Sequence, residues 1–158
     1  MNNFLIEDDD IKIKKFEKNN IQSFKNFSPY EDILLTDYNL CFLTESEIKK
    51  WEKKIKSKKN NYYAIFLKDT MIGYISISKI SFLNSNYELS LSFDERYCSK
   101  GYGFKSLRLF LEYYFENFDK YSIWLNVNAF NQRAIHLYEK IGFEKISEFF
   151  GDFEVQKM

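Results

Sequence analysis

The sequence is poor in the residues from which metal sites, disulfide frameworks and linkers are made. It contains one His, two Cys, one Pro and five Gly among 158 residues. One His and two Cys cannot complete a four-ligand zinc site or a framework of several disulfides, so we expect neither a metal nor a disulfide scaffold. The 23 basic residues balance the 23 acidic ones, which argues against an obligate nucleic-acid-binding protein.

Long apolar runs and a secretory leader are also lacking. No run approaches the roughly 18 apolar residues that a membrane-spanning helix requires. The first ten residues, MNNFLIEDDD, end in acidic residues where a signal peptide would carry positive charge. We therefore expect a cytoplasmic protein with reduced cysteines and with neither a membrane nor a nucleic acid as partner.

Apolar and aromatic residues, in contrast, are plentiful, at 45% and 20% of the chain. This composition and length favour one compact domain with a sizeable core. Periodicity predicts strands at Ile11–Phe16, Tyr62–Lys68, Met71–Ile80, Tyr87–Phe93, Ile123–Ala129, Phe143–Phe150 and Phe153–Gln156. It predicts helices at Asn20–Phe27, Thr44–Lys59, around Leu107–Asn117 and at Asn131–Ile141.

The most informative order of elements follows Tyr87. A strand, the loop Ser99–Gly103, a helix and a second strand come in succession, which predicts two parallel strands with a right-handed crossover. The loop then lies at the carboxyl ends of the strands and opens a helix whose first amides are free to bind a phosphate. The alternative is a tight turn that needs Gly101 and Gly103 only for its own geometry.

Two motifs in this region resemble those of the GNAT family of N-acetyltransferases. CSKGYG followed by a helix resembles the family's pyrophosphate loop, Q/R-x-x-G-x-G/A, although Cys98 replaces the first residue and a bulky Phe104 follows the second glycine. The family's second pattern is L-x-V-x-x-x-N-x-x-A-x-x-x-Y-x-x-x-G-F. It is matched at Leu125, Val127, Asn131, Ala134, Tyr138, Gly142 and Phe143.

The resemblance covers roughly residues 62–143 and is closest to the bacterial subgroup that acts on ribosomal-protein N-termini, sugar amines or polyamines. It implies a mixed α/β fold with a central mixed sheet of about six or seven strands, splayed parallel strands 4 and 5, and about four helices. It divides the single domain, residues 1–158, into an acceptor-side region (1–60), an acetyl-CoA core (61–143) and a C-terminal hairpin (144–158).

The function implied is an acetyl-CoA-dependent N-acetyltransferase that moves acetyl to a primary amine by direct attack in a ternary complex, without a metal. The alternative is a catalytically silent CoA-binding or regulatory protein that kept the cofactor loop. A weaker alternative is an interaction module that uses the lysine-rich face of the Thr44–Lys59 helix. The acceptor is a small-molecule or peptide amine, and a homodimer is left open.

Tyr138 and Glu88 are the predicted catalytic residues. A phenol stays protonated at neutral pH, so Tyr138 can give a proton to the leaving thiolate. In a chain with twelve tyrosines, the alternative is a core tyrosine. Glu88 alternates with the apolar face of its strand and can accept the amine proton, directly or through water; the alternative is a solvated carboxylate.

The predicted acetyl-CoA-binding residues come from the strand, the loop and the last helix. They are Leu91, Phe93, Ser99, Lys100, Gly101, Tyr102, Gly103, Phe104, Asn131, Ala134 and Tyr138. The resemblance also implies that a backbone N–H on the strand, at Leu91, stabilises the oxyanion. We expect His136 to be exposed and Cys98 to fill space in the loop rather than to form an acyl-enzyme.

Acidic residues in the N-terminal half suggest a cationic acceptor. In the family this half borders the acceptor cleft, where carboxylates would favour an ammonium group. The alternative is that they balance the lysines on a solvated surface. The residues are Asp8, Asp9, Asp10, Glu31, Asp32 and Asp37.

Overall fold

The computed structural model describes residues 4–79, 87–119 and 122–147, and the backbone of residues 152–156. In this part of the chain the strands are β1 Phe4–Glu7, β2 Ile11–Lys15, β3 Asn60–Leu67, β4 Thr70–Lys79, β5 Tyr87–Phe93, β6 Ser122–Asn126, β7 Glu144–Ser147 and β8 Asp152–Gln156. The α-helices are α1 Glu45–Lys56, α2 Tyr102–Asn117 and α3 Gln132–Ile141. Shorter 3₁₀-helices lie at Lys18–Asn26, Ile33–Tyr38 and Glu95–Tyr97.

The described strands form one mixed sheet with the order β1-β2-β3-β4-β5-β6-β8-β7. The mixed α/β class is confirmed. The sheet has eight strands in the described residues rather than six or seven, because Phe4–Glu7 adds a short edge strand that alternation over four residues is too brief to reveal. The splayed parallel pair is therefore β5 and β6. Ile80, residues 148–150 and the turn residue Gly151 lie outside the described residues.

Side chains alternate between the two faces of the sheet along each strand, and a separate hydrophobic core lies on each face. On one face α2 and α3 pack against residues such as Ile75, Ile77 and Leu89. On the other face Trp51 of α1, 6% exposed, lies among aromatic rings that include Phe16, Phe24, Tyr62 and Tyr74, with its centroid 5.0–5.9 Å from theirs. The two faces thus bring different helices to the same sheet.

Helix α1 starts where the sequence predicts. Thr44 Oγ1 accepts a hydrogen bond from the amide of Glu47 at 3.2 Å, and Glu47 Oε2 accepts one from the amide of Thr44 at 2.7 Å. This capping box satisfies two donors that the first turn would otherwise leave free. The short N-terminal helix that the sequence predicts at Asn20–Phe27 is instead a 3₁₀-helix.

The sheet opens between β5 and β6. Strand β5 pairs with β4 through seven successive register positions, whereas the described residues join β5 to β6 at one, Glu88 with Trp124. The carboxyl ends of the two parallel strands consequently diverge. Gly73 of β4 allows a close approach to the end of β5, because a Cβ at this position would collide with the carbonyl oxygen of Ser92.

Candidate active site

A cleft of about 420 Å³ lies where β5 and β6 diverge. Strand β5 contributes residues along its length, and the start of α2 and one side of α3 form one wall. Residues 30–40 form the opposite wall, which we call the acceptor wall after the role that the sequence predicts for this region. The cleft therefore meets the carboxyl ends of the parallel pair, as expected for a ligand site in an open sheet.

The loop before α2 presents free amides to this cleft. Gly101 caps the helix with φ +87°, a left-handed conformation that glycine adopts without strain. The first hydrogen bond of the helix runs from the amide of Lys105 to the carbonyl of Gly101 at 3.1 Å, so the amides of Tyr102, Gly103 and Phe104 have no acceptor within the helix. The helix dipole adds positive potential there, which suits an anion such as a pyrophosphate.

Gly103 has a packing role in the same loop. A Cβ on Gly103 would lie 3.3 Å from Cδ2 of Leu137, so a glycine lets the start of α2 approach α3 closely. The glycine spacing thus serves the geometry of the turn and the exposure of its amides together. The two interpretations of the loop that the sequence leaves open are compatible.

Helix α3 holds Tyr138 in the cleft. The side chain of Asn131 caps the helix by accepting from the amide of Ala134 at 3.2 Å, and the helix ends at Gly142, where φ is +120°. The amide of Phe143 then donates to the carbonyl of Tyr138 at 2.9 Å. Several residues of the second motif therefore define the two ends of the helix that carries the tyrosine.

Tyr138 is 7% exposed, and its ring lies 5.7 Å from that of Phe143. Burial raises the pKa of its phenol above the usual value, so the group keeps its proton at neutral pH. It lines the cleft and is also part of the core. Its environment suits a proton donor, while the catalytic role itself stays a prediction.

Glu88 lies at the start of β5, exposed and within the lining of the cleft. Its face of the strand also carries Ser90 and Ser92, whereas Leu89 and Phe93 are buried on the opposite face. Glu88 is also the residue at which β5 meets β6. The lining of the cleft thus includes a carboxylate, and its role as a base stays a prediction.

Of the predicted acetyl-CoA-binding residues, all but Lys100 and Tyr102 line the cleft. The ring of Tyr102 packs 6.2 Å from that of Tyr97, and Lys100 is exposed outside the lining. His136 is exposed, as predicted, and lies at the cleft. Cys98 is half-buried, and burial raises the pKa of its thiol, which disfavours a nucleophilic thiolate.

None of the six acidic residues lines the cleft among the described residues, although Glu31, Asp32 and Asp37 belong to the segment that forms the acceptor wall, so a cationic acceptor stays a prediction. Lys105 on α2 forms ion pairs with Asp8 at 3.1 Å and Asp10 at 3.4 Å. Asp32 accepts from the amide of Leu34 at 2.9 Å and caps a 3₁₀-helix. The carboxylate that the described part of the chain brings to the cleft is Glu88.

The acceptor wall is the part that the motifs do not reveal. Tyr30 donates its hydroxyl to the carbonyl of Phe93 at 2.6 Å, and burial raises the pKa of this phenol. The side-chain amide of Asn128 donates to the hydroxyl of Tyr38, so the wall reaches the loop after β6. No fixed spacing marks these residues, and the only signal in the sequence is its abundance of aromatic residues.

Neither a metal-ligating cluster nor a membrane-spanning helix is present in the described residues. There we find no group of three or more His, Cys, Asp or Glu side chains arranged to hold a metal ion. Among the helices of that part of the chain, none combines the length and apolar character needed to cross a membrane.

A mixed sheet that splays at a parallel pair, with the start of a helix beside the gap, defines an α/β protein with a ligand cleft at the carboxyl ends of the two strands. The model of one such family, described as an acetyltransferase (GNAT) domain, matches residues 30–144. This chain belongs to that family.

Individual relatives agree with this assignment. Spermidine N(1)-acetyltransferase of Escherichia coli (strain K12) is 23% identical over 103 residues, which cover 65% of this chain and 55% of that protein. The chain thus spans about half the length of the curated relatives it matches.

Two solved structures share the fold. The spermidine N-acetyltransferase from Vibrio cholerae in complex with CoA and spermine superposes with a TM-score of 0.76 at 17% identity, over 94% of this chain and 96% of that one. A GNAT-family acetyltransferase from Bacillus anthracis superposes with a TM-score of 0.75 at 20% identity, over 97% of each chain.

Proposed function

We propose that this protein is an acetyl-CoA-dependent N-acetyltransferase that transfers acetyl to a primary amine by direct attack in a ternary complex. The observation that carries the proposal is a single cleft lined by the free amides of the α2 loop, by Tyr138 and by Glu88. Membership of the GNAT family supports the same chemistry. A CoA-binding protein without turnover is less well supported, because it would need neither the tyrosine nor the carboxylate there.

Acetyl-CoA is the co-substrate in this proposal. Its pyrophosphate accepts hydrogen bonds from the amides of Tyr102, Gly103 and Phe104, where the helix dipole favours negative charge. Its acyl arm runs along the cleft toward Tyr138 and Glu88. The glycine at position 101 leaves open space beside the loop, since no atom lies within 4 Å of a Cβ built there.

The transfer divides its proton movements between two residues. The amine nitrogen attacks the thioester carbonyl, a C–N bond forms, and the oxyanion accepts a hydrogen bond from the backbone amide of Leu91. Glu88 accepts the amine proton, directly or through water. The C–S bond then breaks, and the hydroxyl of Tyr138 gives its proton to the leaving thiolate.

The acceptor class that we propose is a cationic polyamine. Relatives from two bacteria are named spermidine acetyltransferases, and one solved neighbour was crystallised with spermine. In this chain the rings of Tyr30, Tyr38 and Tyr74 line the cleft together with the carboxylate of Glu88. Aromatic faces and a carboxylate both attract an ammonium group.

A thiol-release assay dependent on acetyl-CoA tests the proposal. The acceptor panel contains spermidine, spermine, amino sugars, aminoglycosides and peptides with a free N-terminus. We expect release with at least one polyamine. Acetyl-CoA binding without release on any amine would instead support the silent binding protein, and nucleic-acid binding without CoA affinity would support the basic-helix module.

A further inference from the structure

Three hydrogen bonds, at Asn26, Ser28 and Tyr30, join the acceptor side to the end of β5 and the residues that follow it. We call this set the seam; it joins residues 26–30 to residues 93–96. Its bonds run from Arg96 Nη2 to the carbonyl of Asn26 (2.7 Å), from the amide of Ser28 to Asp94 Oδ1 (3.1 Å), and from Tyr30 Oη to the carbonyl of Phe93 (2.6 Å).

Asp94 is the centre of the seam. Its side chain is 1% exposed. The guanidinium of Arg96 donates to Asp94 Oδ2 from Nη2 at 2.7 Å and from Nε at 3.2 Å, and the amide of Arg96 donates to Oδ1 at 3.1 Å. A buried carboxylate is tolerated only with such a complete set of partners, so the positions of those partners are tightly specified.

Arg96 extends this arrangement to the acceptor side. The same Nη2 that contacts Asp94 also donates to the carbonyl of Asn26. A planar guanidinium presents donors in a fixed fork, which a lysine ammonium cannot reproduce. Arg96 therefore fixes the backbone of the segment at Asn26 relative to the buried carboxylate.

The seam lies between the two sides of the cleft. The segment 26–30 leads directly into the acceptor wall, while the chain after Arg96 leads within a few residues into the loop Ser99–Phe104. Glu95, between the two seam residues, also forms an ion pair at 3.2 Å with Arg133 on the helix that carries Tyr138. The short stretch 93–96 thus contacts the acceptor side and α3, and it leads along the chain into the loop before α2.

We infer that Asp94 and Arg96 are positioning residues that fix the acceptor wall relative to the acetyl-CoA loop and thereby set the affinity for the acceptor amine. Neither residue lines the cleft, so each acts through the wall and not by touching the substrate. The inference rests on the proposed function for its kinetic consequence. Its structural consequence, that the acceptor wall is held in one position, does not depend on the proposed function.

The kinetic test compares Arg96→Gln with Arg96→Lys. With acetyl-CoA saturating, we expect Arg96→Gln to raise the KM for the amine by about 10-fold, the size expected when a substrate-positioning element shifts, while the Kd for acetyl-CoA stays within about 2-fold. Arg96→Lys should recover part of the loss, since it keeps the charge beside Asp94 without the fork. The matched control is Arg108→Gln, which removes an exposed arginine from α2 outside the cleft.

Two results would overturn the inference. One is a lowered Tm and kcat with an unchanged amine KM, which would assign the pair a structural role alone. The other is an unchanged KM in both Arg96→Gln and Asp94→Asn. If the buried Asp94→Asn variant fails to fold, the amine KM of the Arg96→Gln variant alone tests the inference, because the Arg96 side chain is 52% accessible.

Amide hydrogen exchange gives a readout that needs no activity. We expect Arg96→Gln to accelerate exchange across residues 26–40 while leaving α2 and the central strands unchanged, and Arg108→Gln to change neither. If the wild-type protein acetylates no amine, the proposed function fails and the exchange experiment alone decides. Unchanged exchange across residues 26–40 would then refute the positioning role.

Discussion

The two sides of the cleft are built from different chemical groups: backbone amides on one side and aromatic side chains on the other. The side that we propose for acetyl-CoA consists of backbone amides at the start of α2, a glycine with positive φ, and a helix whose ends are set by Asn131 and Gly142. The acceptor side consists of aromatic side chains on 3₁₀-helices and irregular backbone, held by side-chain hydrogen bonds. A binding surface made of backbone depends on a few residue types at fixed spacing, whereas one made of side chains can be built in many ways.

Gly101→Val gives the largest expected effect, because it changes the side of the cleft on which backbone amides form the binding surface. The branched side chain must adopt a left-handed φ, and it adds atoms to the open space beside the loop through which a pyrophosphate would approach. We expect the Kd for acetyl-CoA, measured by calorimetry, to rise by more than about 100-fold, the loss expected when several charge-assisted hydrogen bonds fail together.

The matched control is Gly142→Val, which places the same side chain at φ +120° with equally open space, away from the lining of the cleft. It should lose stability to backbone strain while keeping its acetyl-CoA affinity. Equal loss of affinity in both variants would mean that strain, rather than blocked amides, explains the result. Unaltered affinity in Gly101→Val would place the pyrophosphate elsewhere.

Tyr138→Phe should lower kcat by about 100-fold with little change in acetyl-CoA affinity, since it removes a proton donor that acts in the transition state. Tyr114→Phe is the control, because Tyr114 is also buried and its pKa is also raised by burial, but it does not line the cleft. A similar kcat in the two variants would make Tyr138 a core tyrosine.

The pH dependence sharpens the same prediction. A free phenol is half ionised near pH 10, but burial raises the pKa of Tyr138, so the folded protein keeps the proton at that pH. The wild-type rate should therefore show no loss from ionisation of Tyr138 up to about pH 10. An alkaline decline below that value, absent from Tyr138→Phe, would contradict the burial argument.

Glu88→Gln tests the residue that lies between the two sides. A base must be deprotonated to accept a proton, so we expect the variant to lose about 10-fold in kcat and to lose the acidic limb of the pH–rate profile. Glu112→Gln, an exposed carboxylate on α2, serves as the control. A raised amine KM with an unchanged profile would show that Glu88 binds the ammonium group without taking its proton.

Salt dependence gives the smallest effect and concerns only the acceptor side. If a cationic amine is attracted to Glu88, its KM should rise by about 2- to 3-fold between 0.05 and 0.5 M salt as screening increases. The partial exposure of the site keeps this effect small. A KM that does not respond to salt, or a preferred substrate that is neutral or anionic, would refute the cationic acceptor and leave acetyl transfer intact.

The same division explains what could be predicted from the sequence. Helix α3 was predictable to within a residue because Asn131 caps it and Gly142 ends it, and both residue types are selected by local backbone geometry. The loop before α2 was predictable for the same reason.

The acceptor wall was not predictable, because the partners of its residues are distant in sequence. Tyr30 bonds to a carbonyl 63 residues away, and Asn128 to a hydroxyl 90 residues away. The partners of the acidic residues were not predictable for a related reason: Asp8 faces Lys105, which only the packing of α2 against the first strands brings near. Composition gives the number of such charges but not their partners.

The single register pair between β5 and β6 gives this protein an optical probe. Of the chain's two tryptophans, Trp124 belongs to that pair, half-buried, with an indole N–H that has no hydrogen-bond partner. Trp51 is enclosed in the aromatic core on the face occupied by α1. Indole emission responds to the polarity around the ring, so a Trp51→Phe protein would carry one fluorophore, located where the sheet begins to open. Its emission would follow ligand entry in real time without any attached label.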